Sequence, residues 1–165
     1  MVRVLLLAAA VAASIPPGIA SAHDHAPPDA VLQTRRSHRQ GTRISSCWIR
    51  GTRLGGAALC TQEETSFPRP IDAPAGLATI VFDTRREPLR VRLRAYRGLR
   101  ANGEPARPAK RLDVVPEPTP KGWILSFDLP RRHRDWFLEA KGVWTDANFP
   151  EDEQFAVWTF ALRIP

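Results

Sequence analysis

The feature that most constrains the fold of this chain is an alternation of apolar and polar residues with a period of two. In residues 89–95, leucine, valine and alanine alternate with Arg90, Arg92 and Arg94. Because successive side chains of a β-strand point to opposite faces, this pattern predicts a strand with its arginines on one face. The same period recurs in residues 123–129, 136–144 and 158–164. No window sustains the period of an amphipathic helix, so the sequence predicts an all-β protein.

Turn residues separate the alternating segments and indicate the architecture. Proline, glycine, asparagine and aspartate occur between them, at residues 68–70, 83–88, 102–103, 116–122 and 148–152. About seven short strands with turns at these intervals predict an immunoglobulin-like antiparallel β-sandwich. A small closed barrel is the alternative architecture. Residues 78–82 are apolar except for Thr79, on both faces of a strand, and we expect them to form a central strand.

The first 22 residues have the three parts of a secretory signal peptide. Arg3 supplies a positive charge, residues 4–13 are apolar, and Ala20-Ser21-Ala22 provides small residues before a cleavage site. The apolar run is shorter than the roughly 20 residues that span a bilayer, so no transmembrane segment is predicted. We therefore expect an exported bacterial protein, periplasmic or secreted, that is soluble after cleavage near Ala22.

The remaining chain divides into two parts by composition. Residues 23–40 are polar and contain prolines without an apolar period, which is typical of a flexible leader. Residues 41–165 are predicted to form one β-sandwich domain, because a chain of this length supports a single core.

The only two cysteines of the chain, Cys47 and Cys60, are close in sequence. In an oxidising compartment they predict a disulfide across an early hairpin formed by residues 43–49 and 57–61. The alternatives are two free buried thiols, or a metal pair that would lack the further ligands such a site needs. The disulfide should stabilise the fold by about 3 kcal/mol. Trp48 is expected to pack beside it.

The chain is basic, and its charge is unevenly distributed. It has 24 lysines and arginines against 17 acidic residues, a net charge of +7. Residues 85–111 contain ten of the basic residues and only two acidic ones. This segment predicts a basic face that binds an anionic envelope polymer or an acidic protein. Its residues are Arg90, Arg92, Arg94, Arg97 and Arg100, and Arg107, Lys110 and Arg111 extend it. The alternative is a solvated strand face that prevents aggregation. Nucleic acid is not an expected partner, since no nucleic-acid motif is present.

The residues after the predicted cleavage site suggest an alternative function. Cleavage after Ala22 would make His23 the first residue and His25 the third. A free amine, two amides and an imidazole at the third position form the square-planar nitrogen site that Cu(II) and Ni(II) favour. A periplasmic or extracellular copper- or nickel-binding protein is therefore the alternative, and otherwise no cofactor is expected. Both histidines are also ordinary components of a polar leader.

Catalysis and sugar binding find little support in the sequence. The chain has no Gly-x-Ser-x-Gly elbow, no His-Glu-x-x-His and no phosphate-binding loop, so we expect a non-catalytic protein. Aromatic rings can stack on sugars, but four tryptophans fall on the apolar phase of their segments, which favours core packing: Trp123, Trp136, Trp144 and Trp158.

The cysteine segment also supports a family resemblance. Ser46-Cys47-Trp48, Gly55-Gly56 and Cys60 resemble a hairpin found in uncharacterised exported bacterial proteins, where it precedes a β-sandwich. The similarity continues through residues 127–130, 136–144 and 155–164. The resemblance implies an exported sandwich domain and no particular activity. Many members of that group look like lipoproteins, whereas this chain lacks a cysteine at the cleavage site.

Overall fold

The computed structural model describes residues 26–52, 55–129, 134–145 and 150–165. These residues form twelve β-strands and no helix, which confirms the all-β prediction. Among them there is accordingly no helix that is long and apolar enough to cross a membrane. In chain order the strands are β1 (Ala30–Gln33), β2 (His38–Gln40), β3 (Thr42–Thr52), β4 (Gly55–Gln62), β5 (Ile71–Asp72), β6 (Gly76–Phe82), β7 (Arg90–Arg97), β8 (Lys110–Leu112), β9 (Pro116–Thr119), β10 (Gly122–Leu129), β11 (Arg134–Thr145) and β12 (Glu153–Ile164).

The strands form two sheets. The first sheet has the order β2-β1-β6-β10-β9, and the second has the order β4-β3-β12-β11-β7-β8. All these neighbours pair antiparallel, whereas β5 pairs in parallel with the end of β12. Strand β6 lies between β1 and β10, so the prediction of a central strand at residues 78–82 is confirmed. The predicted antiparallel sandwich with one disulfide is confirmed as well.

The predicted number of about seven strands is wrong, because the structure has five further, short strands. These are β1, β2, β5, β8 and β9, which have only two to four residues each, too few to show a recognisable alternation. The immunoglobulin-like identity is not confirmed. Immunoglobulin domains keep strands A, B, D and E in one sheet. Here β1, β3, β6, β7 and β10 lie alternately in the first and the second sheet along the chain.

The hydrophobic core lies between the sheets and is built from the inward residues of the alternating segments. Trp144 and Trp158 are almost completely buried, and their ring centroids lie 6.2 Å apart. The ring of Phe82, from the first sheet, lies 5.0 Å from that of Trp158. The ring of Trp144 covers Gly142, where a Cβ atom would overlap it. The predicted core role of the tryptophans is thus confirmed for Trp136, Trp144 and Trp158, while Trp123 is only half-buried.

The domain begins earlier in the chain than the sequence predicts. Residues 30–40, expected in a flexible leader, form β1 and β2 of the first sheet. Ala30 and Leu32 are fully buried, and β1 pairs with β6 from Ala30–Phe82 to Gln33–Thr79. The predicted boundary at residue 41 is therefore wrong. The apolar alternation of β1 spans only four residues, which made it indistinguishable from an ordinary polar leader.

A small apolar cluster covers one end of the outer face of the second sheet. Tyr96, Phe137 and Ala161 lie side by side there, on three neighbouring strands. The segment that follows β4 folds over them, and the ring of Phe67 lies 5.3 Å from that of Phe137. Thr159 is fully buried beneath this segment, and its Oγ1 donates to the carbonyl of Ser66 at 2.6 Å. The opposite end of this outer face is basic.

Candidate functional site

The basic face of the second sheet consists of Arg90, Arg92 and Arg94 on β7, Arg111 on β8 and Lys141 on β11. The alternation of β7 places its three arginines on the outer side, while Leu93 and Ala95 are buried in the core. Arg111 and Lys141 lie on this same outer side, because residues that pair across neighbouring strands point to the same side of the sheet. Arg94 pairs with Arg111, and Arg92 pairs with Lys141.

These two cross-strand pairs bring like charges together. Side chains directly opposite in an antiparallel pair have Cβ atoms about 5 Å apart, and like charges at that distance destabilise the sheet. Arg94 is compensated on its other side by Glu139 of β11, whose carboxylate lies 3.5 Å from the guanidinium. Arg90 forms a salt bridge with Glu153. Within the described part of the chain, no carboxylate lies within salt-bridge distance of Arg92, Arg111 or Lys141.

The uncompensated cations surround an open depression of about 360 Å³. Arg92, Arg111 and Lys141 line it together with Arg90, and Val91 and Val143 contribute its apolar part. The ammonium of Lys141 also lies 4.3 Å from the centre of the Phe155 ring, a cation–π contact that fixes its position. The depression is therefore positive, accessible and lined by side chains that donate hydrogen bonds to carboxylates or phosphates.

Glu139 marks the boundary between the basic face and the apolar cluster. The hydroxyl of Tyr96 donates to its carboxylate at 3.2 Å, and Arg94 binds it from the neighbouring strand. Burial raises the pKa of the Tyr96 hydroxyl, and the negative charge of Glu139 raises it further. Tyr96 therefore remains a hydrogen-bond donor that holds Glu139 in place beside Arg94.

Two of the residues predicted for the basic face lie elsewhere. Arg97 has the phase of Leu93 and Ala95, so it turns toward the inter-sheet side, where its guanidinium stacks 5.1 Å from the ring of Trp136. Arg100 follows the end of β7 and forms an ion pair with Glu104 at 3.7 Å. The structure thus brings together Arg90, Arg92 and Arg94 but neither Arg97 nor Arg100.

Lys141 was missed by sequence reasoning, and no local pattern could have found it. It lies more than forty residues after β7 in the chain, and only the pairing of β11 with β7 brings it opposite Arg92. Arg111 belongs to the basic segment of the sequence, but its place beside Arg94 depends on β8, which has only three residues.

The disulfide lies on the same outer face as the basic residues. Cys47 and Cys60 pair directly across β3 and β4, as the sequence predicts. Pairing across the neighbouring strands then places Phe155 beside Cys47, Val143 beside Phe155, and Arg90 beside Val143. The prediction that Trp48 packs beside the disulfide is wrong, because adjacent residues of a strand point to opposite faces. Trp48 lies in the core, with its ring 5.6 Å from that of Trp144.

The proposed metal ligands His23 and His25 lie outside the described residues. Among the residues described, no group of three or more histidine, cysteine or acidic side chains is placed to hold a metal ion. The copper or nickel site remains a prediction from the sequence.

The fold and the site define a class of protein: a two-sheet, antiparallel β-sandwich with one cross-strand disulfide and a basic outer face. No protein-family model, curated protein or solved structure matches this chain. The resemblance to exported proteins with a cysteine hairpin therefore remains a prediction.

Proposed function

We propose that this protein is a non-catalytic, exported binding domain whose basic face holds an anionic polymer of the cell envelope. The observation that carries this proposal is the placement of like charges directly opposite each other in the strand ladder, Arg92 opposite Lys141 and Arg94 opposite Arg111. Like charges at such positions disfavour the free protein, whereas a polymer with closely spaced carboxylates or phosphates would pair with them favourably. A purely solvated face has no reason to place its cations opposite one another.

The face is suited to an extended ligand. Residues of one strand that share a face are about 6.6 Å apart, and neighbouring strands are about 4.8 Å apart. Arg92, Arg111 and Lys141 therefore offer several cations within the reach of successive charged groups of a polymer. Since arginine binds both carboxylates and phosphates bidentately, either kind of polymer fits.

The test is a titration of the protein with poly-L-glutamate and with inorganic polyphosphate over a series of salt concentrations. The triple variant R92Q/R111Q/K141Q should bind at least one of them about tenfold more weakly. A matched control, R35Q/R36Q/K121Q, removes three exposed cations near turns of the first sheet and should change the affinity by less than about twofold. Equal losses in both variants would show that only net charge matters, and would overturn the proposal.

The stability of the protein without ligand gives a second test. If the like-charged pairs are uncompensated in the absence of ligand, R92Q should leave the free energy of unfolding unchanged or raise it by up to about 1 kcal/mol, and it should weaken polymer binding. A large loss of stability in R92Q would show that the side chain serves the fold instead.

Export is the second part of the proposal. It is supported by the signal-like first 22 residues and by the disulfide between Cys47 and Cys60, which forms and persists in oxidising compartments. Mass spectrometry of the protein purified from its native host should give a chain that begins at His23. A full-length chain found with reduced cysteines in the cytoplasm would contradict export.

A further inference from the structure

A second candidate site lies between the two sheets, on the side of β7 opposite to the basic face. Strand β9 pairs only with residues 122–125 of β10, so the second half of β10 has no paired neighbour on that edge among the described residues. A crevice of about 140 Å³ opens there between β10 and the second sheet. We call it the inter-sheet crevice. Its apolar walls are Ala95, Leu112, Leu129, Trp136 and Leu138.

Two cations border the inter-sheet crevice. Arg97 and Lys110 occupy inward positions of neighbouring strands, since Lys110 pairs with the buried Ala95 and Arg97 follows two residues later. Both side chains are exposed and line the crevice, and Arg97 stacks on Trp136. Asp128 also borders the crevice, but among the described residues it forms no salt bridge with either cation.

The indole of Trp136 provides a further polar group. Trp136 is 5% exposed, and its Nε1 is buried without a hydrogen-bond partner among the described residues. A buried donor that lacks a partner costs about 1–3 kcal/mol in mutational series, so a ligand that accepted a hydrogen bond from it would recover part of that free energy. The crevice thus combines an apolar surface with two bordering cations, and one of its lining residues, Trp136, has a buried indole N–H without a partner among the described residues.

We propose that the inter-sheet crevice binds a small monocarboxylic acid whose apolar part is about the size of a benzene ring. An apolar protein cavity of about 150 Å³ accommodates benzene, which matches the volume between the sheets. The ring packs against Leu129, Trp136 and Leu138, and the carboxylate lies toward Arg97 and Lys110. This site is independent of the basic face, because the two use opposite sides of β7.

Benzoate is the probe for this site. In nitrogen–proton correlation spectra, benzoate should shift the indole N–H resonance of Trp136 saturably, with a dissociation constant of about 1 mM or lower. The variant W136F assigns this resonance among the five indoles. Benzamide, which has the same ring without the charge, should bind about fivefold more weakly. The tripeptide Ala-Ala-Phe carries a carboxylate at a chain end and should also bind more weakly, because the crevice holds little more than a ring.

Substitutions separate this site from the basic face. K110Q and R97Q should each weaken benzoate binding about fivefold without affecting benzamide or poly-L-glutamate. L112W should fill the crevice and abolish both benzoate and benzamide binding, and its thermal transition will show that it remains folded. R92Q, on the outer side of the same strand, is the matched control and should leave benzoate binding unchanged.

Three results would overturn the inference. The first is no saturable shift of the Trp136 indole below about 10 mM benzoate. The second is equal affinity for benzoate and benzamide, which would remove the role of the cations. The third is tighter binding of the tripeptide than of benzoate, which would identify a peptide end as the ligand. None of them bears on polymer binding by the basic face, so failure of one proposal is distinguishable from failure of the other.

Discussion

Gln154 is the most unusual single residue of the core. It is fully buried opposite Trp144, and neither its amide oxygen nor its amide nitrogen has a partner among the described residues. Gln154→Met has a similar volume and removes both unsatisfied groups, so it should raise the free energy of unfolding by about 1–2 kcal/mol. Urea denaturation measures this change. Gln62→Met, at an exposed position of β4, should change it by less than about 0.5 kcal/mol. A loss of stability in Gln154→Met would mean that the amide is hydrogen-bonded in solution.

Asp135 gives the fold a measurable dependence on pH. It pairs with Arg163 across β11 and β12, with both carboxylate oxygens bound at 2.8 and 3.1 Å, and this hydrogen bonding lowers its pKa. A carboxylate with a lowered pKa adds stability that is fully present above its ordinary pKa and is lost as the pH falls through the folded-state value. Because both side chains are more than one-third exposed, screening keeps the effect small.

Asp135→Asn should therefore lower the free energy of unfolding by about 0.5–1 kcal/mol near pH 7 and by almost nothing near pH 2. Thermal unfolding of both proteins at the two pH values measures the difference. Asp113→Asn, which removes an exposed carboxylate without a salt bridge among the described residues, is the control and should show no such pH dependence. A constant difference across the pH range would show that the carboxylate acts through shape rather than charge.

At the scale of elements, β4 is held mainly by its connection to β3. It is the edge strand of the second sheet, and its residues 57–62 are all exposed, so it buries little surface of its own. It is attached by the ladder with β3, by the disulfide between Cys47 and Cys60, and by a hydrogen bond of 2.9 Å between the hydroxyls of Ser46 and Thr61. The disulfide therefore supports an edge strand whose exposed side chains contribute little hydrophobic burial.

Replacing both cysteines by alanine should lower the free energy of unfolding by up to about 3 kcal/mol. Hydrogen exchange should accelerate in β4 by at least about tenfold more than in β9, the corresponding edge strand of the first sheet. Mass spectrometry of exchanged peptides measures both strands in one experiment. Equal acceleration in β4 and β9 would contradict a local role of the disulfide.

The elements also show how far the sequence could predict this fold. The alternation in β7, β10, β11 and β12 predicted those strands and the burial of Trp136, Trp144 and Trp158, because the period of two follows directly from strand geometry. The same rule applied strictly would have placed Arg97 with Leu93 and Ala95, away from the basic face. A short strand such as β8 forms by pairing with the free edge of a neighbouring strand. Its three residues are too few to show an apolar–polar alternation in the sequence.

At the scale of the molecule, the candidate sites depend on long-range pairing that the sequence does not encode locally. The basic face needs β8 and β11 beside β7, and the inter-sheet crevice needs β10 opposite them. Composition predicted a basic protein, and alternation predicted three of its outward arginines. The position of Lys141 and the second, inward cation pair of Arg97 and Lys110 required the tertiary structure.

The early start of the fold has a practical consequence for protein engineering. Ala30, the first residue of β1, is fully buried and pairs with Phe82 in the middle of the first sheet. Only seven residues, 23–29, separate it from the predicted cleavage site. An affinity tag fused at the mature N-terminus must preserve these residues as a spacer. A shortened chain that began at residue 41 would lack β1 and leave the edge of β6 open to pairing between molecules.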